Sequence, residues 1–505
     1  MLAILTSATL LGARGQPVRV EVHVSVGLPG LAIVGMPDEA CRESRDRVRA
    51  AVQSSGLEWP QKKVTVNLAP SGQRKAGAAL DVAIAVGVLA ATDQVPSDAL
   101  DTHGFIGELG LDGTVRRVPG MVPLVAALDQ KVAVVPSGCV TEAELVASEV
   151  QGVTHLTELV RVLRDAAPWP DRPPDPPVEA PEPDPDLAEV RGQRVPRLAI
   201  EVAAAGGHHL LMVGPPGSGK TMLARRLVGL LPRLDPADAL ETTMIHSAAG
   251  LTLPAGGLMN RPPLRSPHHT ASVVSMVGGG TGAMRPGEAS CAHCGVLFLD
   301  EMGEFAPSAL EGLRQPLEEG VIRVTRAKAS LEFPARFLLV AAMNPCPCGQ
   351  GGPPGACACA EAARLRYQRR MSGPLLDRFD LRIEMHRPGV DELLGGEPGE
   401  STAAVAARVH RARDRAAGRG LRANADLPPH LLEDLAPLAA GARLMLRREL
   451  ERGRLSARGL HRIRRVARTL VDLRDQGGDV VDEEAVATAL HLRVDPGPAP
   501  RLEWQ

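Results

Sequence analysis

Aromatic side chains are nearly missing from this chain: its 505 residues include one Tyr, three Trp and six Phe. So few ring faces exclude an aromatic stacking platform for bases, and any hold on nucleic acid has to rest on backbone electrostatics. Charge of one sign is not in excess either. Lys and Arg number 57 against 59 Asp and Glu, a net charge of -2, so a basic surface can only be local. Long hydrophobic runs are absent: the longest, Leu80 to Ala91, is interrupted by Asp81 and falls well short of the roughly 20 residues that cross a bilayer. No transmembrane helix is expected. The opening MLAILTSATLLGARG is apolar, but it lacks a basic stretch ahead of the apolar residues and a convincing cleavage site. It reads as a first strand and turn rather than a signal peptide. No internal repeat is found.

Proline, by contrast, is concentrated. PWPDRPPDPPVEAPEPDP, from Pro168 to Pro185, places a proline at about every second position among acidic residues, a composition that cannot form a helix or a central strand and reads as an extended, solvated linker. The length is enough for roughly two to four domains, and the linker sets residues 1–167 apart as the first of them. Residues 168–186 are assigned to the linker and 187–388 to a motor core. A softer boundary falls at Arg387-Pro388-Gly389. From 389 to 505 the pattern is helical and rich in Ala, Leu and Arg, with Asp426-Leu427-Pro428-Pro429 as a break that starts a new helix.

The motor core opens with a recognisable order of elements. His209-Leu210-Leu211-Met212-Val213 is a short apolar strand. Gly214-Pro215-Pro216-Gly217-Ser218-Gly219-Lys220-Thr221 follows, and then MLARRLVGLL, with helical apolar spacing. This is the order a P-loop requires: glycines let successive backbone N–H groups turn toward phosphates, the helix N-terminus favours negative charge, Lys220 reaches the outer phosphates and the Thr221 hydroxyl ligates magnesium. Downstream, Val296-Leu297-Phe298-Leu299-Asp300-Glu301 reads as a buried parallel strand ending in two carboxylates. Asp300 would hold the magnesium, and Glu301 would orient and polarise the attacking water. Phe337 to Met343 is a third strand, ending in Asn344, which suits a contact to the γ-phosphate or the water. Arg378, in Ser372-Gly-Pro-Leu-Leu-Asp-Arg-Phe-Asp-Leu, has no evident core role and suits a guanidinium supplied to a neighbouring subunit's γ-phosphate. Arg458 opens a strongly basic helix and would report on bound nucleotide. A motor fed by ATP is expected in the cytoplasm, where disulfides do not persist, so the eight Cys are thiols or metal ligands.

Together these motifs resemble one family, the YifB/ComM proteins of the magnesium-chelatase-related branch of AAA+ ATPases. The likeness extends to Val190-Arg-Gly-Gln193, Arg265-Ser-Pro-His-His269, Val277-Gly-Gly-Gly280, Arg285-Pro-Gly-Glu288, Ala341-Ala-Met-Asn-Pro-Cys-Pro-Cys-Gly349 and the SGPLLDRFD segment. It implies Lys220 and Thr221 as Walker A, Asp300 and Glu301 as Walker B, Asn344 as sensor 1, Arg378 as arginine finger, Arg458 as sensor 2, and a hexameric ring. The fold class implied is α/β: an AAA+ P-loop core with a parallel sheet, a helical lid, and an N-terminal α+β Lon-protease-like domain. That last likeness rests on Pro70-Ser-Gly-Gln-Arg-Lys-Ala-Gly-Ala-Ala-Leu-Asp81 and Phe105-Ile-Gly-Glu-Leu-Gly-Leu-Asp-Gly113. A Lon-type peptidase needs a Ser activated by a Lys, and where the Ser should stand this chain has Ala79, so the domain reads as a binding or assembly module. Lys75 is then a surface charge or a phosphate contact.

Cys346-Pro-Cys348 and Cys357-Ala-Cys359 form two CxC pairs across a short Gly- and Pro-rich loop. Brought together, four thiolates suit tetrahedral zinc beside Asn344; the alternative is a loop of reduced thiols. Cys291-Ala-His-Cys294 has ligand-like spacing without a second pair nearby and reads as coincidence. His268 and His269 are assigned a structural or pore-facing role. Glu319 to Pro334 alternates apolar and polar residues around a small turn and predicts a β-hairpin. In related rings such a hairpin points into the central channel, where Arg326 and Lys328 would track DNA phosphates; a solvated hairpin tip is the plainer reading. Between Gly441 and Arg474 stand eleven Arg and three acidic residues, a pattern that fits either a DNA-facing surface or inter-subunit salt bridges.

The expected function is a hexameric DNA motor, a helicase or branch-migration factor in recombination or transformation, using ATP and Mg2+ and acting on single-stranded or branched DNA. The alternative is a chelatase-type ATPase that remodels a protein partner for metal insertion. Against it stand the Lon-like domain, which the resemblance says chelatase motor subunits lack, and the absence of a DxSxS motif. Ala79 opposes an ATP-dependent protease.

Overall fold

The computed structural model describes the chain except residues 73, 173, 175–183, 281–283, 327–328, 351–356, 371, 390, 392–394, 396–397, 475, 477 and 494–505. Most of the proline linker therefore lies outside the described residues, as do Lys328 and the loop between the CxC pairs.

The first strand and turn read from the opening residues are present. β1 (Leu2–Leu11) pairs antiparallel with β2 (Arg14–Ser25) around the two-residue turn at Gly12 and Ala13. Along β2, Val18, Val20, Val22 and Val24 are buried while Arg19 and His23 are exposed, the period-2 alternation of a sheet with one face on a core. Five further strands complete a mixed sheet: β3 (Gly30–Val34), β4 (Lys63–Ala69), β5 (His103–Phe105), β8 (Val132–Pro136) and β9 (Val150–Val153). Their order is β3-β4-β2-β1-β5-β8-β9, and β6 (Glu108–Leu109) and β7 (Val115–Arg116) pair separately.

The longest apolar run becomes the helix Asp81–Ala90, every residue of which is buried. It lies so close to the sheet that a Cβ on Gly87 would meet Val22 at 2.6 Å and Leu5 at 2.8 Å. Asp81 survives at the head of this buried helix because it is paired. Arg47, on the helix Glu39–Ser54, reaches it with Nε to Oδ2 at 2.7 Å, and the Leu109 N–H adds a bond of 3.3 Å. Lys75 corrects the expectation. It has no exposed surface and donates to the Pro70 carbonyl, and burial lowers its pKa, opposed by nearby Cys41. A side chain so enclosed is neither a surface charge nor a phosphate contact.

The second sheet is all parallel: β11 (Leu264–Arg265), β12 (Val296–Leu299), β15 (Leu338–Met343), β10 (Leu210–Val213) and β16 (Leu381–Glu384), in that order. Every residue of β10, β12 and β15 is buried, as helices covering both faces of a parallel sheet demand. Before β15 stands the expected hairpin, β13 (Val321–Arg326) with β14 (Ala329–Pro334), in register from Val321↔Pro334 to Arg326↔Ala329. Beyond β16 the chain is helical, with long segments Thr402–Gly418, Ala440–Glu451, Ala457–Leu473 and Glu483–His491. The Asp426–Pro429 break separates the short turns Asn424–Asp426 and Pro429–Leu431.

The two sheets are joined by packed contacts as well as by the linker. The Gly120 N–H donates to the Ser247 carbonyl at 2.8 Å and the Val122 N–H to the Ser247 Oγ at 3.2 Å, seating the helix Met121–Ala126 on the end of Pro236–Ala249. Ala13 joins the apolar cluster that holds Ile322, Leu331 and Phe333, so the β1–β2 turn lies against the root of the β13–β14 hairpin.

Arg47→Ala should destabilise the protein by about 3 kcal/mol, because it strands the Asp81 carboxylate in a dry site. Urea unfolding followed by circular dichroism checks this, and a change below about 1 kcal/mol would remove the pair from its role.

Candidate functional site

Because β10, β12 and β15 run the same way, the segments leaving their C-terminal ends meet along one edge of the sheet, the usual ligand position in open α/β folds. The loop 214–221 leaves β10, Asp300 and Glu301 leave β12, and Asn344 leaves β15. Gly217 and Gly219 take left-handed φ values of 78° and 87°, which only glycine adopts without strain. The Lys220 Nζ donates to the Gly214 carbonyl at 2.7 Å and the Pro215 carbonyl at 2.9 Å, and lies 3.4 Å from the Asn344 Oδ1. Partial burial lowers its pKa, while Asp300 and Glu301 act in the opposite direction. The Thr221 hydroxyl donates to the Asp300 Oδ2 at 2.7 Å. Two hard oxygen donors so close together are the donor set a magnesium ion takes alongside water and phosphate oxygens.

Two side chains that sequence reasoning gave no role hold this loop in place. Gln193, itself at a left-handed φ of 52°, donates from Nε2 to the His386 carbonyl at 2.8 Å and the Ser218 carbonyl at 3.3 Å. The Arg387 Nε donates to the Pro216 carbonyl at 3.2 Å. Glu301 is held at φ 50°, a conformation a non-glycine residue keeps only when its surroundings impose it. The His269 Nδ1 stands 3.4 Å from its carboxylate, and the His268 ring lies 4.1 Å from that of His269. The histidine pair thus borders this edge of the sheet, which the spacing of the motif alone did not indicate.

Arg378 and Arg458 are brought together at a different place. Burial and the charges of Arg462, Arg458 and Arg314 lower the pKa of Arg378, and Arg378 forms an ion pair with Glu318. Among the described residues, no hydrogen bond or ion pair of Lys220, Thr221, Asp300, Glu301 or Asn344 reaches either arginine. Arg326 ends β13, with its side chain outside the described residues, like all of Lys328.

The four cysteines of the CxC pairs converge next to Asn344, with their sulfurs within 4.8 Å of one another. Cys291 does not join Cys294 in a site of its own. It is buried in the apolar cluster around β12, while His293 and Cys294 lie beside Asp238 and Arg336 pairs with both Asp238 and Glu241. Much of the basic stretch from Gly441 to Arg474 is paired inside the chain: eight of its eleven Arg, at 443, 447, 452, 454, 462, 464, 468 and 474, each face a carboxylate of the same chain within 4.0 Å, though they share six carboxylates between them.

Comparison with known proteins bears on the motifs surrounding this edge. The family model described as magnesium chelatase, subunit ChlI, matches residues 186–393. The model of that subunit's C-terminal region matches 399–493, and a third, described as subunit ChlI of Mg-chelatase, matches 20–138. A protein of Mycobacterium tuberculosis described as uncharacterised is 46% identical over 495 residues, covering 96% of this chain and 97% of its own. YifB of Escherichia coli K12 is 40% identical over 97% of this chain and 96% of its own length. The competence protein ComM of Haemophilus influenzae is 39% identical over 97% of each. This chain belongs to the YifB/ComM family, the magnesium-chelatase-related branch of the AAA+ ATPases. The family's less familiar motifs now have a shared physical basis. Arg265 grips Glu288 with two bonds, of 2.7 and 2.9 Å. Gly278 lies so near the RPGE backbone that an added Cβ would meet the Arg285 carbonyl oxygen at 2.6 Å, and Gly279 exchanges backbone hydrogen bonds with Arg285. The RSPHH, VGGG and RPGE segments of this YifB/ComM chain are therefore one knitted unit next to β12.

Gln193→Ala should weaken ATP binding by about tenfold, since two hydrogen bonds of about 1 kcal/mol each no longer fix the loop. Calorimetric titration with a non-hydrolysable ATP analogue measures this, and an unchanged Kd would show that the loop holds its shape without Gln193.

Proposed function

We propose that this chain is an ATP-hydrolysing DNA motor that works as a hexameric ring, with a helicase or branch-migration role in recombination or transformation. The observation that carries the ATPase part is the convergence of Lys220, Thr221, Asp300, Glu301 and Asn344 at one sheet edge. In this reading ATP phosphates lie along the 214–219 backbone, Lys220 moves from its carbonyl partners to the outer phosphates, and Thr221 and Asp300 hold Mg2+, which neutralises phosphate charge when bound. Glu301 orients and polarises the attacking water, and Asn344 positions the γ-phosphate or that water. Arg378 and Arg458, being neighbours with no bond to this edge in their own chain, both act on the nucleotide of the adjacent subunit. The cytoplasm is the compartment this reading requires.

The DNA part is supported by full-length likeness to a protein named for competence, and by what the C-terminal arginines do instead. Most arginines of that basic stretch already face carboxylates of their own chain, which favours the β13–β14 hairpin as the place for phosphate tracking by Arg326 and Lys328. The chelatase-type alternative draws on the magnesium-chelatase family models. One of these matches residues 20–138, so possession of an N-terminal domain does not separate the two readings. ATPase activity measured with and without single-stranded, duplex and branched DNA does separate them, since a chelatase-type motor has no reason to respond to any of the three.

Glu301→Gln should bind ATP and keep the ring assembled while turnover falls by about a hundredfold or more, because the phosphate cradle remains and the water-orienting carboxylate is lost. Near-normal turnover would remove Glu301 from the role. Replacing both Arg326 and Lys328 with Ala should leave basal ATPase intact and abolish most of its stimulation by DNA. The salt dependence of DNA binding should flatten as well, with roughly one fewer counterion released per lost contact. A double variant with wild-type stimulation and salt slope would place DNA elsewhere.

A further inference from the structure

We propose that Cys346, Cys348, Cys357 and Cys359 bind one zinc ion as four thiolates, and that this ion braces the end of β15 against the P-loop. The four sulfurs lie within 4.8 Å of one another, with Cys346–Cys348 at 3.3 Å and both Cys346–Cys357 and Cys348–Cys357 at 3.4 Å. None of the four is in a disulfide, which would bring two sulfurs to about 2.05 Å. A tetrahedral zinc with Zn–S bonds of about 2.3 Å places its sulfurs about 3.8 Å apart, close to what is seen. Four soft donors with no oxygen or nitrogen ligand select zinc over magnesium or calcium, and sulfurs this close leave room for one ion rather than a multinuclear cluster. Hydrophobic burial does not account for the gathering, because only Cys346 is buried; Cys348 is exposed, and Cys357 and Cys359 are partly so.

The site's neighbours give it a purpose, and this half of the proposal rests on the ATPase reading above. Cys346 follows Asn344 by two residues. The chain then turns at Gly349 (φ 80°), whose N–H donates to the Cys346 carbonyl at 2.9 Å, and Gly349 lies against the Pro216 ring of the P-loop, where an added Cβ would approach to 2.8 Å. After the second pair comes the helix Glu361–Arg369, carrying the chain's single Tyr, the buried Tyr367. Its ring packs on Gly303, just past Glu301, so closely that a Cβ there would come within 2.4 Å. One ion would thereby fasten together the three segments that line the nucleotide edge.

Full-length protein, kept reduced and purified without chelator, should contain about one zinc per chain. Replacing that zinc with cobalt(II) should give the near-ultraviolet charge-transfer and strong visible bands of a tetrahedral thiolate site. Cys357→Ser with Cys359→Ser, at the less buried end, should lose the metal and both spectral features while remaining folded by circular dichroism, and should turn over ATP about tenfold more slowly. Wild-type protein without zinc that also gives no thiolate spectrum with cobalt(II) would overturn the metal site. A double variant that lacks metal yet keeps wild-type ATP affinity and turnover would overturn the bracing. Zinc-loaded protein with no ATPase activity would sink the ATPase reading and leave the metal site standing.

Discussion

The parallel register of three strands is the constraint on which the edge carrying Lys220, Thr221, Asp300 and Asn344 depends. Val213 pairs with Met343 and Leu299 with Ala341, so Gly214 and Asn344 leave the sheet level with each other and Asp300 emerges one strand further on. Lys220 can lie within reach of Asn344, and Thr221 within hydrogen-bond distance of Asp300, only in that register. Strand side chains alternate with a period of two, and a slip of one residue would turn each strand's faces over. The fully buried faces of β10, β12 and β15 penalise such a slip on both sides of the sheet. The apolar runs HLLMV, GVLFL and FLLVAAM thus do more than fill a core: their burial aligns polar residues that stand outside it.

This is also why the convergence of these segments was legible in the sequence. Each of its parts is a local signal, an apolar run followed by a loop with a required residue type, and parallel packing supplies the rest. The residues that escaped are those whose roles depend on partners far along the chain. Gln193 meets the His386 carbonyl, nearly two hundred residues away; His269 meets Glu301; Lys75 is enclosed by a loop that its own neighbours form. The C-terminal arginines show the limit of composition as evidence. Eleven Arg against three acids looks like a basic surface until Arg464 is seen to pair with Glu433 and Arg474 with Asp482, carboxylates that stand outside the window counted. Charge density along a sequence says little about charge density on a surface when helices pack side by side.

The helical region after β16 is tied to the N-terminal end of the parallel sheet, opposite the edge where the 214–221 loop leaves it, through a buried polar chain. His208, just ahead of β10, bonds Asp380 at 3.1 Å through Nδ1 and the Thr469 hydroxyl at 2.8 Å through Nε2. Arg462 adds its charge to Asp380 at 3.5 Å. Burial alone would raise the Asp380 pKa, but the His208 hydrogen bond and the Arg462 charge outweigh it and hold the group at about 2. Next to it, burial pushes His209 down to about 4, and its ring accepts the Leu339 N–H at 3.0 Å. Such a network is costly to leave half satisfied, so the base of β10, the start of β16 and the helix Ala457–Leu473 hold one another in a single arrangement.

That arrangement extends to the segments around it. Asp380 stands two residues from Arg378, and Arg462 lies one helical turn from Arg458, so the polar chain runs through the two segments that carry these arginines. At the other end of the motor part, the root of the β13–β14 hairpin rests on the β1–β2 turn, where a Cβ on Gly12 would meet Phe333 at 3.1 Å and Leu331 at 3.3 Å. The N-terminal sheet therefore bears on the hairpin directly, and Ser247 gives it a second foothold on the motor part. The hairpin is thus packed at its root on the N-terminal sheet and precedes β15 by a few residues. The sheet thereby fixes where the root of the hairpin lies, through the packing of Gly12 and Ala13 on Phe333 and Leu331.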